Sequence, residues 1–326
     1  MTEVLSTTPG LYPLPDWAKD ELSNLKGHQK DDLISGDETE DIVEAYDRAR
    51  NEAVGRQLEA GLDLIGEGQL RWDDMLAHPL CVHDNVETRG IVRYYDNNNF
   101  YREPVVRGEL TPDGDVAAEL DAVSDVTQAV LPGPYSLAEL ATDEHYDDEQ
   151  AFLDAVAEFL AAEIDAFPTV EALFLLEPSL VTDPPGDGED ERVSDAIDTV
   201  AAAADADVVV HTYWGSIPEK PYAHLMDADI DAIGFDFVSD HQGSIYNIQE
   251  YGTKDDVALG VVDGQNTLVE RPEEIAERIE WVESQIPVAE FDTVYATSNT
   301  ELFYLPTNKA EAKLDALAAA PAEVSR

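Results

Sequence analysis

The chain has 326 residues, with 71 Asp and Glu against 19 Lys and Arg, so its formal net charge at pH 7 is −52. Hydrophobic residues make up 44% of the sequence, which is enough for a packed core and excludes a disordered acidic chain. A surface of this charge repels phosphate backbones and anionic lipids, so neither nucleic acid nor a membrane is an expected partner. No basic stretch followed by an apolar segment opens the sequence, and a cytoplasmic protein is expected.

The acidic residues are spread along the whole chain, as in Asp37–Asp41 and Asp187–Glu191, and do not form one terminal tail. Dispersed acidity with few lysines is typical of proteins adapted to multimolar salt, where the Debye length falls to about 3 Å and carboxylate repulsion is screened. We therefore expect a halophilic protein. Cys81 is the only cysteine, which excludes an internal disulfide and a cysteine-rich zinc site.

The N-terminal part of the sequence predicts little regular structure before residue 40. The first ten residues are expected to be disordered, and residues 1–40 are assigned to an N-terminal extension. A helix is predicted from Asp41 to Ala60, because an acidic run precedes it and Gly61 ends it. Residues 41–326 are assigned to one domain.

Eight short apolar runs in that domain are candidate strands. They are Leu62–Gly68, Ile91–Tyr95, Thr127–Leu131, Ala172–Leu176, Asp207–Thr212, Ala232–Phe237, Asp256–Val262 and Thr293–Ala296. Helical patterns lie between or after them at Glu149–Phe167, Arg192–Ala204, Arg271–Ser284 and Lys309–Ala319. This alternation predicts parallel strands with right-handed crossovers. Eight units favour a single (β/α)8 TIM-type barrel over an open doubly wound sheet, while Pro79–Leu110 is interpreted as a strand plus an excursion near the barrel mouth.

Polar side chains follow seven of the eight candidate strands, at the end of a barrel where chemistry takes place. The carboxylates are Glu67, Glu177, Asp236, Asp263 and Glu301, and the imidazoles are His211 and His241. Such a set suits either a divalent metal ion or general acid–base groups. The alternatives are helix capping, which is favoured for Asp240 and Ser298, and a buried core histidine for His211.

Four segments resemble, in order and spacing, motifs of the cobalamin-independent methionine synthase family. They are Gly61–Met75, Leu131–Tyr135, Leu176–Val181 and Gly260–Asn266, and the resemblance runs from about residue 40 to residue 315. In that family a zinc ion activates homocysteine as a thiolate, which takes a methyl group from a methylated folate. The resemblance therefore implies a methyltransferase of methionine biosynthesis, with homocysteine and a methylated folate or other carrier as substrates.

The family's zinc ligands are a His-x-Cys motif, a Glu and a second Cys, and this sequence departs from them. His211 retains the histidine, but Tyr213 and Thr300 replace the cysteines and Asp236 replaces the glutamate. Leu176 replaces the aspartate that holds the homocysteine amine in the family. The resemblance thus implies an altered metal site at His211 and Asp236, at which zinc is a doubtful cofactor.

The segment Thr297–Pro306 is more similar to the end of the N-terminal barrel of the two-barrel enzymes than to the end of the metal-binding barrel. That N-terminal barrel lacks the metal and contributes to folate binding. The resemblance therefore implies a freestanding N-terminal-type half, which would work beside a separately encoded zinc-bearing barrel.

The resemblance and the strand ends together predict the site residues. The predicted catalytic or anchoring residues are Glu67, Asp74, Glu177 and Asp263. The predicted substrate-binding residues are Arg71, Trp72, Tyr135, Trp214, Asn266 and Ser298. The three aromatic rings among them suit stacking on a pterin, with barrel packing as the alternative.

Two other functions stay open on this sequence. One is a non-catalytic barrel that binds a folate or the zinc-bearing partner. The other is a different reaction on the same scaffold, namely porphyrin decarboxylation or corrinoid-linked methyl transfer. The decarboxylation needs a group of basic side chains that binds the carboxylates of the porphyrin. The clustered arginines that could form it are Arg71, Arg89, Arg93, Arg102 and Arg107.

Overall fold

The structure is a computed structural model that describes residues 2–24, 38–72, 74–93, 100–146, 148–286 and 291–324. Its strands are β1 (Glu3–Ser6), β2 (Val86–Arg93), β3 (Phe100–Val106), β4 (Gln128–Pro132), β5 (Thr142–Asp143), β6 (Ala172–Leu176), β7 (Asp207–His211), β8 (Ala232–Asp236), β9 (Asp256–Val262) and β10 (Thr293–Ser298). Its helices are α1 (Asp16–Asn24), α2 (Glu40–Ala60), α3 (His78–Cys81), α4 (Asp115–Asp121), α5 (Pro134–Leu140), α6 (Glu149–Ile164), α7 (Ser179–Thr182), α8 (Asp190–Ala201), α9 (Glu219–Asp227), α10 (His241–Tyr251), α11 (Pro272–Gln285) and α12 (Thr307–Ala319).

Seven of these strands form one parallel sheet in the order β1-β10-β9-β8-β7-β6-β4. The segment after α2 closes the sheet between its two edges. Leu64 N donates to Ser6 O at 3.2 Å on one side, and Gln128 N donates to Ile65 O at 3.0 Å on the other. Eight chain segments thus surround a buried interior, and the predicted TIM-type barrel is confirmed.

The predicted helices agree with the structure to within about three residues at each end. Helix α2 ends at Gly61, whose φ of +85° is the left-handed conformation that glycine adopts most readily. No described helix combines the length and the apolar composition needed to cross a membrane.

Two sequence predictions are wrong, and the predicted strand Leu62–Gly68 is not a continuous strand, since its only β-bridge among the described residues is the isolated one at Gly66↔Gln128. The first ten residues are not disordered, because β1 pairs with β10 from Glu3↔Thr293 to Ser6↔Ala296 and supplies one barrel strand from within the predicted extension. Ile91 does not belong to a barrel strand, because β2 pairs antiparallel with β3 in a separate three-stranded sheet. Tyr94 and Tyr95, which complete that predicted strand, lie outside the described residues.

Candidate functional site

A buried hydrogen-bond network centred on Asn299 joins the carboxyl ends of β7, β8 and β9. The carbonyl oxygen of Asn299 is 2.9 Å from His211 Nε2, and its side-chain Nδ2 is 3.1 Å from each carboxylate oxygen of Asp236. Its Oδ1 accepts a hydrogen bond from Gly264 N at 2.9 Å. Sequence reasoning did not select Asn299, although a polar residue directly after the buried strand β10 was a usable signal.

Asp236 has no carboxylate oxygen free for a metal ion. Besides Asn299, its oxygens accept hydrogen bonds from the backbone N–H groups of Trp214 at 2.9 Å, Val238 at 2.9 Å and Ser239 at 2.8 Å. The aspartate therefore holds together the loops that follow β7 and β8, and the half-buried Trp214 is fixed there with a φ of +71°.

His211 is fully buried, and burial lowers the pKa of its imidazole, so the ring is neutral at pH 7. Its Nδ1 has no hydrogen-bond partner among the described residues, but a methyl group placed on Gly234 would lie only 2.2 Å away. This side of the ring is filled by the neighbouring strand. Since Asp236 is saturated and both thiolates are absent, the predicted altered site at His211 and Asp236 does not fit zinc.

The carboxylate of Glu177 binds the N-terminus of helix α5. Its Oε1 accepts from Tyr135 N at 2.9 Å, and its Oε2 accepts from the N–H and the hydroxyl of Ser136 at 2.8 and 2.6 Å. These donors lie in the first turn of α5, where unsatisfied N–H groups favour a carboxylate. Burial raises the pKa of Glu177 to about 7. The hydroxyl of Tyr135 donates to the carbonyl oxygen of Asp183 at 2.7 Å, so this ring is held against the loop after α7.

Glu67 and Asp74 lie after the segment that closes the barrel. Arg50 Nε is 3.1 Å from Glu67 Oε2 and Arg50 Nη2 is 3.6 Å from Glu119 Oε1, so one buried guanidinium lies between two buried carboxyls. Burial raises the pKa of Glu67, against the opposing charge of Arg50, and burial together with Glu67 raises the pKa of Glu119 to about 8. Asp74 Oδ1 accepts from Leu76 N at 2.8 Å in the turn that precedes α3.

Arg71 and Trp72 contact the same buried cluster. Arg71 Nε is 2.9 Å from Glu119 Oε1, and its guanidinium also pairs with Glu38. The ring of Trp72 stacks on that of His78, with centroids 4.9 Å apart and planes 11° apart. Sequence reasoning selected Arg71 but missed its partners Glu38 and Glu119, because they are distant from it in the chain.

The carboxyl end of β10 holds polar atoms without partners. Neither carboxylate oxygen of Glu301 nor the hydroxyls of Thr297 and Ser298 have a hydrogen-bond partner among the described residues, and all three side chains are fully buried. Burial raises the pKa of Glu301 to about 8, with a contribution from Asp74. Capping by Ser298 is wrong, because this residue ends β10 and its hydroxyl binds no helix terminus among the described residues.

Asp263 and Asn266 lie at a surface groove of about 960 Å³ that α11 and the loop before α10 also line. Their side chains close local turns, since Asp263 accepts from Gln265 N and Asn266 accepts from Leu268 N, each at 3.0 Å. Asp240 is the predicted helix cap, because its Oδ1 accepts from Gly243 N at 3.0 Å at the start of α10.

The structure therefore brings some predicted residues together and separates others. Glu177 N donates to His211 O at 2.9 Å, and His211 and Asp236 are linked through Asn299. Glu67, Arg71 and Trp72 share the Arg50–Glu119 cluster. Asp263 and Asn266 face the surface groove. The catalytic and binding roles of these residues stay predictions.

A model of the cobalamin-independent synthase N-terminal domain matches residues 82–287, which is more than half of the chain. The chain belongs to the cobalamin-independent methionine synthase family. Among known relatives, the methionine synthase of Saccharolobus islandicus strain L.S.2.15 is 25% identical over 286 residues, which are 84% of this chain and 81% of that protein. The methionine synthase of Saccharolobus solfataricus strain P2 is 24% identical over 294 residues, which are 86% of this chain and 84% of that protein.

Two solved structures of cobalamin-independent methionine synthases share the fold. The enzyme of Shewanella sp. W3-18-1, solved in complex with selenomethionine, superposes with a TM-score of 0.76 at 18% identity, over 98% of this chain and 96% of that one. The Listeria monocytogenes protein described as a vitamin B12-independent methionine synthase gives 0.72 at 17% identity, over 100% and 99%. Family membership confirms the resemblance found in the motifs, and a methionine-synthase-like methyltransferase role follows from it.

Proposed function

We propose that this chain acts in methyl transfer from a methylated folate to homocysteine as a barrel without a zinc site, together with a separate zinc-bearing barrel. The proposal rests on the hydrogen bonds that the carboxylate of Asp236 already accepts. Its two oxygens already accept from three backbone N–H groups and from Asn299, and Tyr213 and Thr300 replace the thiolates. Activation of the homocysteine thiol is therefore assigned to the partner, and no step on this chain passes through a metal.

The part left to this chain is to bind and orient substrate at the carboxyl ends of its strands. Buried polar atoms without partners are rare in native proteins and mark places for a ligand or ordered water. The hydroxyls of Thr297 and Ser298 and the carboxyl of Glu301 are such atoms, and Glu301 with a pKa of about 8 carries a proton at pH 7. A neutral carboxyl and two hydroxyls suit the donors and acceptors along the edge of a pterin.

The proposal is tested by assaying methyl transfer from 5-methyltetrahydrofolate to homocysteine in high-salt buffer. The chain is assayed alone and with a separately expressed barrel that carries the His-x-Cys and Cys ligands. We expect turnover only with both chains, and loss of that turnover in Glu67→Gln but not in Glu59→Gln, an exposed matched control on α2. Turnover by this chain alone at the rate of the pair would overturn the division of labour.

A second candidate is a barrel that binds a folate or the partner without contributing to chemistry. The saturated Asp236 and the missing thiolates favour it equally. The two candidates are distinguished by assaying the zinc-bearing barrel on its own, which has turnover without this chain only if this chain does not contribute to the chemistry. If adding this chain leaves that barrel's kcat and KM unchanged while folate still binds here by calorimetry, the non-catalytic function holds.

Porphyrin decarboxylation receives less support from the arginines. Arg89 pairs with Glu144 at 2.5 Å, Arg107 pairs with Glu87 at 3.0 Å, and Arg71 pairs with Glu119. Three of the five clustered guanidiniums are therefore already neutralised by this chain's own carboxylates. They do not form a free basic cradle for a tetracarboxylate.

A further inference from the structure

A buried cluster between α3 and α4 contains one imidazole and two carboxylates that the proposed methyl transfer does not use. We propose that His78, Asp115 and Glu119 form a binding site for one divalent first-row transition-metal ion of the zinc class. One ligand atom from each residue lies within 4.8 Å of the others, and this is the only such group of three in the described ranges. The site shares no residue with His211, Asp236 or Asn299.

The local structure directs the three side chains to one place. Asp115 and Glu119 are four residues apart on α4, so they lie on the same helix face. His78, at the start of α3, is already 3.0 Å from Asp115 through its Nε2. The stacked ring of Trp72 fixes the plane of the imidazole. The ligands are thus preoriented before an ion binds.

Glu119 is the group that most needs a cation. Its side chain is only 6% exposed, and no described N–H or hydroxyl group donates a hydrogen bond to either carboxylate oxygen, although the carboxyl shares a hydrogen bond with that of Glu67. Arg71 Nε and Arg50 Nη2, at 2.9 and 3.6 Å, approach only Oε1 and lack hydrogen-bond geometry. A buried carboxylate in this state is costly unless it is paired, protonated or bound to a metal ion.

The surrounding charges also favour an added cation. Around the cluster, two guanidiniums face five carboxylates. The guanidiniums are those of Arg50 and Arg71, and the carboxylates are those of Glu38, Asp47, Glu67, Asp115 and Glu119. With all five carboxyls ionised this set has a formal excess of three negative charges, and with Glu119 protonated, in line with its pKa of about 8, the excess is two. A divalent ion offsets most of it, and Arg71 then serves as the outer partner that ligating carboxylates commonly have.

The donor types define the class of ion. Imidazole nitrogen with carboxylate oxygens suits zinc and its first-row neighbours, whereas Mg²⁺ prefers oxygen ligands and retains water. A tetrahedral ion with ligands at about 2.0 Å separates the ligand atoms by about 3.3 Å, so the cluster has to contract by side-chain rotation. Three protein ligands leave the fourth position to water. Asp115, with 26% of its side chain exposed, provides the entry path.

The ion would fasten α4 to α3 beside Glu67. Arg50 now divides its charge between Glu67 and Glu119. A cation on Glu119 leaves this guanidinium to Glu67 and Asp47. The proposed metal site therefore has a structural role, and it lies next to Glu67, which is predicted to be functional.

The test uses the full chain, stripped of metal and kept in multimolar KCl so that non-specific attraction to the acidic surface is screened. Zn²⁺ is titrated by calorimetry, and zinc retained after gel filtration is measured by elemental analysis. The variants are Glu119→Gln and His78→Ala, with Asp121→Asn as the matched control, since Asp121 is an exposed carboxylate on the same helix. His211→Ala tests the other histidine site.

We expect one zinc per chain in the wild type, in Asp121→Asn and in His211→Ala, and roughly 100-fold weaker binding in the two cluster variants. X-ray absorption of the zinc-loaded chain should show nitrogen and oxygen neighbours without sulfur. A zinc-dependent rise of the unfolding midpoint that Glu119→Gln lacks is a second readout. Absence of zinc binding, equal binding in all variants, or loss of zinc only in His211→Ala would overturn the proposal.

Discussion

Asn299 contacts both carboxylate oxygens of Asp236 through one amide nitrogen, at 3.1 Å to each. Asn299 directly follows β10 and Asp236 ends β8, two strands that β9 separates in the sheet, and both residues are almost fully buried. The same Asn299 side chain accepts from Gly264 N, so it also positions the loop after β9. The carboxyl ends of β8 and β10 and the loop after β9 are therefore held together by hydrogen bonds.

Replacing Asn299 with Ala should destabilise the protein by about 2–3 kcal/mol. The change removes a donor to a buried charge and the acceptor of a backbone N–H, and each loss leaves a buried group less satisfied. Guanidinium unfolding in high-salt buffer measures the difference. Asn51→Ala is the control, because Asn51 is exposed on α2 and bonds only within its own helix. Equal unfolding midpoints for the two variants would show that the network contributes no stability.

Replacing Glu301 with Gln should flatten the dependence of stability on pH. The pKa of Glu301 is about 8 in the folded protein, against about 4.3 for an unperturbed Glu. The folded state therefore binds more protons between these values, and the contribution of Glu301 to stability falls as the pH rises towards 8. Glutamine is neutral throughout and lacks this fall.

We expect Glu301→Gln and the wild type to be similar at pH 5, and the variant to be more stable at pH 8.5 by on the order of 2–4 kcal/mol. Unfolding free energies across this range measure the effect, with the exposed Glu59→Gln as control. Parallel curves for wild type and Glu301→Gln would mean that Glu301 is ionised and compensated in the folded protein.

The barrel could be predicted from the sequence because its inner strands are mostly apolar and its helices repeat at the helical period. Strand β1 was missed because four residues, Glu3–Ser6, carry too short a pattern and depend on β10 for their hydrogen bonds. Ile91 was misplaced because an apolar alternation does not reveal which sheet a strand joins. Tertiary contacts decide which strands pair with each other.

The site could be predicted only in part for the same reason. Charged residues at strand ends are visible in the sequence, but their partners are not. Glu177 satisfies the start of α5 about 40 residues earlier in the chain, and Glu119 meets Arg50 and Arg71 from a different helix. Asn299 carries no charge and was passed over. Local patterns locate the polar residues, while long-range contacts decide whether they anchor loops or remain free for ligands.

Replacing Gly234 with Ala should destabilise the barrel by about 1–3 kcal/mol. The added Cβ would lie 2.2 Å from His211 Nδ1 and 3.0 Å from His211 Cα. The ring cannot move aside without losing its contact to the carbonyl oxygen of Asn299, and overpacking of this kind is destabilising. The matched control is Gly55→Ala in α2, where nothing lies within 4 Å of the added Cβ. That change should stabilise the helix by about 0.5–1 kcal/mol, because Ala is the better helix former. Unfolding midpoints that shift in the same direction for both variants would contradict the close packing of β8 on His211.

Raising the concentration of KCl from low to multimolar should raise the thermal unfolding midpoint. Salt weakens attraction between surface ion pairs such as Arg48–Glu21, and it also weakens repulsion among the carboxylates. Repulsion outweighs attraction because 71 acidic residues face only 19 basic ones. Melting curves recorded in a KCl series measure the effect, and a sucrose series at matched osmolarity serves as the control because sucrose stabilises proteins without screening charge. A midpoint that is unchanged by KCl, or that rises equally with sucrose, would show that charge repulsion does not limit the stability of this fold.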